Sequence, residues 1–150
     1  MIINNTTDMP MPLVRIALRH ALDCLPDKGA GIELESVTIR NKMEGKVSGQ
    51  WGWYKPQSKQ IVVIVPREMP HGYKIHLKHA RQYLTINTRV EFLIAVVAHE
   101  MKHAHQWQVM KTWTVDTRSN RWYRERDAEQ YESDTTIQWM NMIQKVASSS

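Results

Sequence analysis

Residues 88–105 read TRVEFLIAVVAHEMKHAH, and the order of polar and apolar residues in this stretch decides the fold. The stretch begins with a capping box, in which the Thr88 hydroxyl can accept the amide proton of Glu91 while the Glu91 side chain reaches back. Apolar residues then recur at intervals of three and four positions, which is typical of a helix with one buried side. We expect this helix to run from about 89 to 110.

The helix carries an HExxH motif, His99-Glu100-Met101-Lys102-His103. Residues four apart lie on the same face of a helix, so the two imidazoles can bind one metal ion and Glu100 can reach a water molecule on it. With 7 histidines in 150 residues, random order would produce this pattern in about 2% of chains. The motif therefore predicts His99 and His103 as ligands of Zn²⁺ and Glu100 as the catalytic base. The alternative is a histidine pair that is hydrogen-bonded within the protein.

The third ligand of such a site should be an acid. A catalytic zinc ion is held by three protein ligands and keeps one position open for water. His105 is the last histidine in the chain, so later residues can offer only carboxylates of these ligand types. The acidic residues that follow the motif are Asp116, Glu125, Asp127, Glu129, Glu132 and Asp134.

The segment 124–131 reads RERDAEQY and resembles the second motif of the gluzincin metallopeptidases, Glu-x-x-Ala-Asp/Asn. The resemblance implies that Glu125 binds zinc and that Glu129, one turn later, orients a ligand histidine. The chain departs from the motif by having Glu at position 129, so the two roles could be exchanged and Glu129 is the second choice for the ligand. Glu132 and Asp134 are interpreted as a solvated acidic face.

The two motifs together resemble those of minimal gluzincins and of SprT-like and ImmA/IrrE-type peptidases. The resemblance implies an α+β fold, a minimal zincin-like domain with an N-terminal helix, a three-stranded antiparallel sheet, the HExxH active-site helix and a C-terminal ligand helix. It also implies a zinc metalloendopeptidase that hydrolyses peptide bonds. In such domains the last strand before the active-site helix lies at the sheet edge and pairs with the substrate peptide, which here would be strand 59–66.

Sequence patterns predict the remaining elements. An amphipathic helix should run from Pro12 to about Pro26, and a last helix from about 121 to 146 with Ser119 or Asn120 as its cap. Residues 67–87 are expected to be irregular or partly helical. Three runs rich in β-branched and aromatic residues predict an antiparallel meander: 33–42, 46–54 and 59–66.

A peptidase also needs a donor that stabilises negative charge on the substrate carbonyl oxygen. Tyr131, Tyr123 and His71 are candidates by residue type, and the sequence does not choose between them. Other histidines between 67 and 87 match no metal-ligand spacing and are interpreted as surface or core residues.

At 150 residues the chain is predicted to be a single domain, with 1–10 and 147–150 flexible. It shows no secretory signal and no apolar run of the roughly 20 residues that a membrane helix needs. The single cysteine, Cys24, suits a reducing compartment. These features predict a cytoplasmic protein with no membrane partner.

The formal net charge of +5 is unevenly placed. Residues 51–90 hold seven lysines and arginines against one acid, Glu68, which could attract an acidic partner or nucleic acid. Ordinary solvated lysines are the alternative. Two further functions therefore stand beside the peptidase: a nucleic-acid-associated SprT-like protease, and a non-enzymatic zinc-binding structural or assembly module. The first of these would also use a cluster around Trp122, namely Arg118, Arg121, Arg124 and Arg126.

Overall fold

A computed structural model of the protein describes residues 1–42, 50–113 and 117–148. Within these ranges the chain forms an α+β fold with a four-stranded mixed sheet, a two-stranded antiparallel sheet and three α-helices. The predicted α+β class is thus confirmed. In chain order the elements are β1 (Ile2–Asn5), α1 (Met11–Asp23), a 3₁₀ turn (Pro26–Gly29), β2 (Ser36–Asn41), β3 (Gly52–Lys55), β4 (Gln60–Val65), β5 (Tyr73–Leu77), β6 (Gln82–Ile86), α2 (Arg89–His105), a π-helical segment (Gln106–Met110) and α3 (Arg118–Ser148).

The four-stranded sheet has the order β1-β2-β4-β3. β2 runs parallel to both β1 and β4, whereas β3 runs antiparallel to β4. The predicted antiparallel meander is therefore wrong, although β3 and β4 do form the expected hairpin. Alternating apolar residues indicate which face of a strand is buried, but the order and direction of strands stay open because several pairings bury the same side chains. Part of the predicted strand 46–54 lies outside the described residues.

β4 lies inside this sheet. Its residues pair with β2 on one side and with β3 on the other, and Ile61, Val63 and Val65 are fully buried. The prediction that strand 59–66 is the sheet edge is therefore wrong. In the described part of the chain, the edge that lies against α2 is β3.

The N-terminus is part of the sheet and not the flexible tail that was predicted for 1–10. β1 pairs with β2, and the Asp8 carboxylate lies 2.6 Å from the Arg89 guanidinium at the start of α2. Arg89 also donates to the side chain of Asn41 at 2.9 Å and to the carbonyl of Pro66. The segment before α1 is therefore held against the first turn of α2, away from the motif histidines.

Residues 73–86 form the β5–β6 hairpin, where the sequence had predicted irregular or partly helical structure. Two short alternating runs carry it, with Leu77, Leu84 and Ile86 on the buried face. The alternation is visible in the sequence. However, the histidines and lysines at its exposed positions resemble loop residues, so the pattern did not predict two strands. The first strand of this hairpin, β5, forms one wall of a cleft that is described below.

The predicted helices are present, with shifted ends. The Thr88 hydroxyl accepts the Glu91 amide proton at 3.2 Å, as the capping box predicts, while Glu91 reaches back to the amide of Asn87. α3 begins at Arg118 and is capped by Thr117, which accepts from the amide of Asn120 at 3.1 Å, so the predicted caps are wrong by two or three positions.

α2 is the centre of the core. Every residue from Phe92 to Ala98 is buried, because the sheet, α1 and α3 all contact this helix. Among the described helices, none combines the length and the apolar character that crossing a membrane requires.

Candidate metal centre

Three predicted ligands meet where α2 contacts α3. The Nε2 atoms of His99 and His103 lie 3.2 Å apart, since the two residues are one helical turn apart on the same face. The Glu125 carboxylate projects from α3 between them, with Oε2 at 3.1 Å from His99 Nε2 and Oε1 at 3.0 Å from His103 Nε2. These donor atoms all lie within 4.8 Å of one another and could hold a metal ion.

A glutamine determines the tautomer of His103. The Gln106 side-chain amide donates from Nε2 to the carbonyl of Arg124 at 3.1 Å, so its Oε1 faces Nδ1 of His103 at 2.9 Å. Nδ1 must therefore carry the proton, and in the neutral ring Nε2 presents a lone pair. Gln106 belongs to the π-helical segment, whose wider turn follows the last residue of α2.

His99 is oriented by Glu132, which the sequence had assigned to a solvated face. The Glu132 carboxylate is 5% exposed, and its Oε1 lies 2.8 Å from Nδ1 of His99. Glu132 follows Glu125 by seven residues, which is two turns on the same face of α3. That spacing could have identified it, but polar residues on both sides of α3 made a solvated face look equally reasonable.

Glu129 does not take either of its predicted roles. Its Oε1 accepts from the backbone amides of His79 at 2.8 Å and Ala80 at 3.2 Å, and its Oε2 contacts Nδ1 of His79. The acid that contacts Nδ1 of His99 is Glu132, and the acid between the two imidazoles is Glu125. Sequence spacing could not show which acid contacts which histidine, because Glu125, Glu129 and Glu132 all lie on one face of α3.

This donor set fits Zn²⁺. The His103 Nε2 atom and the Glu125 carboxylate oxygen lie only 3.0 Å apart, a distance that a shared cation or proton between them would satisfy. Two imidazole nitrogens and one carboxylate oxygen are the ligands of known catalytic zinc sites, in which a fourth position stays open. Within the described residues, the group contains these three donors and no fourth protein ligand.

The electrostatics of the cluster also favour a cation. Burial alone would lower the pKa of His99, but its contacts with Glu125 and Glu132 raise that pKa well above the usual value. Burial would likewise raise the pKa of Glu125, yet His103 and His99 hold it below its usual range. Both shifts favour positive charge between these side chains, and a bound metal ion would supply such charge.

Glu100 lies beside the three donors on α2. It is 7% exposed, and burial raises its pKa while the charges of His99 and His103 act in the opposite direction. The backbone of Tyr54 on β3 also stabilises its charged form. A carboxylate with a raised pKa beside a metal centre is suited to exchanging protons.

Gly52 allows β3 to approach this carboxylate. A Cβ atom on Gly52 would lie 2.7 Å from Cγ1 of Val96 and 3.0 Å from Cγ of Glu100, closer than real Cβ contacts. The edge strand can therefore lie directly over Glu100 only with glycine at this position. This role of Gly52 was not predictable, since nothing in the surrounding sequence distinguishes Gly52 from a turn glycine.

The donors open into a cleft of about 740 Å³. β3 forms one wall and β5 the other, while α2 contributes the floor and α3 the acidic residues. Of the three predicted charge-stabilising residues, Tyr131 donates its hydroxyl to the carbonyl of Ala21, and Tyr123 lines a different cavity. His71 is exposed and does not line the cleft. None of the three therefore faces the candidate metal centre.

Two cations of the basic 51–90 segment are paired with acids. Lys59 contacts Glu33, and Arg89 contacts Asp8. By contrast, Lys74 on β5 and Lys78 directly after it line the cleft. Some of the positive charge of this segment is therefore paired with acids within the fold, and some lies on the surface of the cleft.

Comparison of the chain with protein-family models, with curated proteins and with solved structures gives no match. The likeness to gluzincins therefore rests on the two motifs and on the geometry described above.

The ligand assignment predicts a difference between two isosteric substitutions one turn apart. Glu125→Gln should weaken zinc binding by at least about tenfold, because it removes a charged ligand atom. Glu129→Gln should leave zinc affinity within about twofold of the parent, because Glu129 contacts His79 instead. Competition with a chromogenic chelator measures both constants. The reverse order of the two effects would show that Glu129 is the ligand.

Gly52→Ala should displace β3 from α2. The added methyl group collides with Val96 and Glu100, so we expect a loss of about 1–3 kcal/mol in the free energy of unfolding and a smaller yield of folded protein. Urea denaturation followed by tryptophan fluorescence measures this loss. Gly72→Ala measures the cost of backbone strain without collision, since its φ is 77° and a Cβ atom there would meet nothing within 4 Å. An unfolding free energy unchanged in Gly52→Ala would contradict the close approach.

Proposed function

We propose that the protein is a zinc-dependent metalloendopeptidase of the gluzincin type. The observation that carries the proposal is the convergence of His99, His103 and Glu125 on one point beside the buried carboxylate of Glu100. The arrangement combines a three-donor site with a base, and both open into a cleft large enough for a peptide.

The residues have distinct roles in this proposal. His99, His103 and Glu125 would hold the ion, while Glu132 and Gln106 keep the two imidazoles in the tautomer that binds metal. Bound Zn²⁺ supplies Lewis-acid polarisation and a lowered pKa of water. Glu100 would take the proton from the water that attacks the peptide carbonyl, and would then give it to the leaving amine.

The substrate peptide would lie along β3, since strand 59–66 is inside the sheet. The Trp51 carbonyl accepts from Ile64, and Trp53 lies opposite Val62 in the hairpin. In an antiparallel pair, the backbone N–H and C=O groups of every second residue point toward the partner strand. Those of Trp51 and Trp53 point toward β4, so those of Gly52 and Tyr54 point away from it. An extended peptide could add to this edge through main-chain hydrogen bonds, largely independent of its sequence. It would have to replace the contact in which the Gln50 side chain donates to the Gly52 carbonyl at 3.0 Å, while the Tyr54 backbone already contacts Glu100.

A purely structural zinc module is less well supported. Structural zinc sites are closed by four protein ligands, whereas this group offers three in the described part of the chain. Structural sites also have no need for a further buried carboxylate next to the ligands. The base and the open cleft favour hydrolysis.

The proposed function predicts that Glu100→Gln abolishes hydrolysis without loss of metal. The amide cannot accept a proton, so kcat on an unfolded protein such as reduced casein should fall by at least about 10²-fold. Zinc content by atomic emission should stay equal to that of the parent, because Glu100 is not a ligand. Glu91→Gln, on the same helix but at its cap, is the control. Full activity of a zinc-loaded Glu100→Gln variant would exclude this mechanism.

A second candidate, a nucleic-acid-associated protease, is favoured by one observation. The Arg126 guanidinium lies 5.5 Å from the ring centre of Trp122 and 5.0 Å from that of Tyr123, and both aromatic side chains are exposed. Exposed aromatic rings beside arginine can stack on the bases of single-stranded nucleic acid. With Lys74 and Lys78 on the cleft wall, this surface could hold a strand near the site.

This candidate predicts salt-sensitive binding of a single-stranded 20-mer. Fluorescence anisotropy should show an affinity that falls steeply between about 50 and 200 mM salt, because phosphate contacts release counterions. Trp122→Ala should weaken binding by about 1–3 kcal/mol through lost stacking. Trp139→Phe, at a buried position of the same helix, should bind like the parent. No binding at 50 mM salt would eliminate the candidate.

A further inference from the structure

β5 presents an open edge to the cleft. Every residue from Tyr73 to His79 lines the cavity, although the side chains of a strand alternate between its two faces. A strand whose residues from both faces line one cavity lies edge-on to that cavity. Among the described strands β5 pairs only with β6, and no backbone hydrogen bond in the described part of the chain joins it to another element. Its second edge is therefore open to a ligand.

The positive charge of the cleft lies along this edge. Lys74 on β5 and Lys78 directly after it are exposed, and they are the two lysine or arginine side chains that line the cleft within the described residues. At about 3.3 Å per residue, the backbone between them spans at most about 13 Å. Three or four residues of an extended peptide would cover this length.

In the described part of the chain, no acid pairs with either lysine. Two other cations of the basic 51–90 segment do have such partners, since Lys59 contacts Glu33 and Arg89 contacts Asp8. The remaining ion pairs between lysine or arginine and an acid lie on the helices, away from β5. The two ammonium groups at the cleft are therefore available to a ligand.

The acids of the cleft belong to the helices. Glu125, Glu129 and Glu132 project from α3 and contact histidines, and Glu100 lies on α2. These carboxylates repel an acidic side chain of a ligand, whereas the lysines attract it. The charge distribution therefore favours a ligand whose acidic groups lie against β5.

We propose that Lys74 and Lys78 are specificity-determining residues, and that the substrates of the cleft are extended peptides with acidic side chains facing β5. This inference rests on the proposed peptidase function and names its class of substrate. Main-chain groups at the open edge of β5 would bind any extended peptide, while the two ammonium groups select for carboxylates. The peptide would then have β5 on one side and the edge strand β3 on the other.

Two other roles for the lysines make different predictions. If they only offset the charge of the glutamates, their removal would change zinc affinity but not the choice of peptide. If they bound nucleic acid, they would contact phosphates. A phosphodiester backbone offers only acceptors, however, and leaves the C=O groups of a strand edge without donors. The open edge of β5 therefore favours an acidic peptide.

The kinetic test uses a quenched peptide taken from a casein fragment that the protein cleaves. Versions with Glu or with Gln at two positions, three or four residues apart and scanned along the peptide, are compared. In the best register, kcat/KM should be at least about fivefold higher for the Glu version, because each ion pair adds a small stabilisation. This preference should decline between about 50 and 500 mM salt. Equal values for both versions in every register would overturn the inference.

Charge variants assign the preference to the two lysines. In Lys74→Gln/Lys78→Gln, the ratio of kcat/KM for the Glu and Gln peptides should fall to about one. Lys28→Gln/Lys55→Gln, which removes two lysines outside the cleft, should keep the ratio of the parent. Lys74→Glu/Lys78→Glu should reverse the preference toward peptides with lysine at the same positions, which a structural role does not produce. A parent-like ratio in Lys74→Gln/Lys78→Gln would contradict the assignment.

A binding measurement separates this inference from the proposed function. Fluorescence anisotropy compares labelled casein peptides, in Glu and Gln versions, and a single-stranded 20-mer on the zinc-loaded Glu100→Gln variant with and without Lys74→Gln/Lys78→Gln. The Glu version should bind more tightly, by a factor that the lysine substitutions remove. If this holds but the parent cleaves no peptide, the peptidase fails and the selection by β5 stands.

Two outcomes would refute the inference itself. If peptides are cleaved and bound without regard to charge, the selection by β5 fails while the peptidase stands. If the lysine substitutions weaken only the oligonucleotide, the edge of β5 is a nucleic-acid surface instead.

Discussion

The contact of the Glu125 carboxylate with two imidazoles is the interaction on which the rest of the structure depends. It joins α2 and α3 through two mostly buried imidazoles and a carboxylate that is partly exposed at the cleft. Glu132 and Gln106 extend the contact to the far side of each ring. The register of α3 on α2 is thus determined by polar pairs, and displacing α3 by one residue would leave several buried charges unpaired.

The apolar core explains why the polar groups gather on one side. α2 is covered by the sheet and by α1 and α3, and its residues from Phe92 to Ala98 are buried. The face toward β3 and β5 carries His99, Glu100 and His103. Gly52 then lets the edge strand approach that face closely enough to enclose Glu100. The cleft therefore lies along the side of α2 that the apolar core does not cover.

Much of the fold was predictable where one local signal dominates. The capping box at Thr88 and the apolar stripe behind it define α2 before any tertiary contact is considered. The parallel pairing of β2 with β4 was not predictable, because the same alternation of buried residues suits either direction. The β5–β6 hairpin was missed for a related reason: its alternation is short and mixed with histidines and lysines that are typical of loops.

The candidate site shows the same division. The sequence by itself determined that His99, Glu100 and His103 share one region of a helix, because helix periodicity is a local property. It also limited the third ligand of a metal ion at this site to an acid, because no histidine or cysteine follows His105. Only the tertiary structure decided which acid meets the imidazoles. Glu125, Glu129 and Glu132 lie on one face of α3, and the position of α3 against α2 and the β5–β6 turn gives them different contacts. Glu125 lies between His99 and His103, Glu132 contacts the far side of His99, and Glu129 contacts His79.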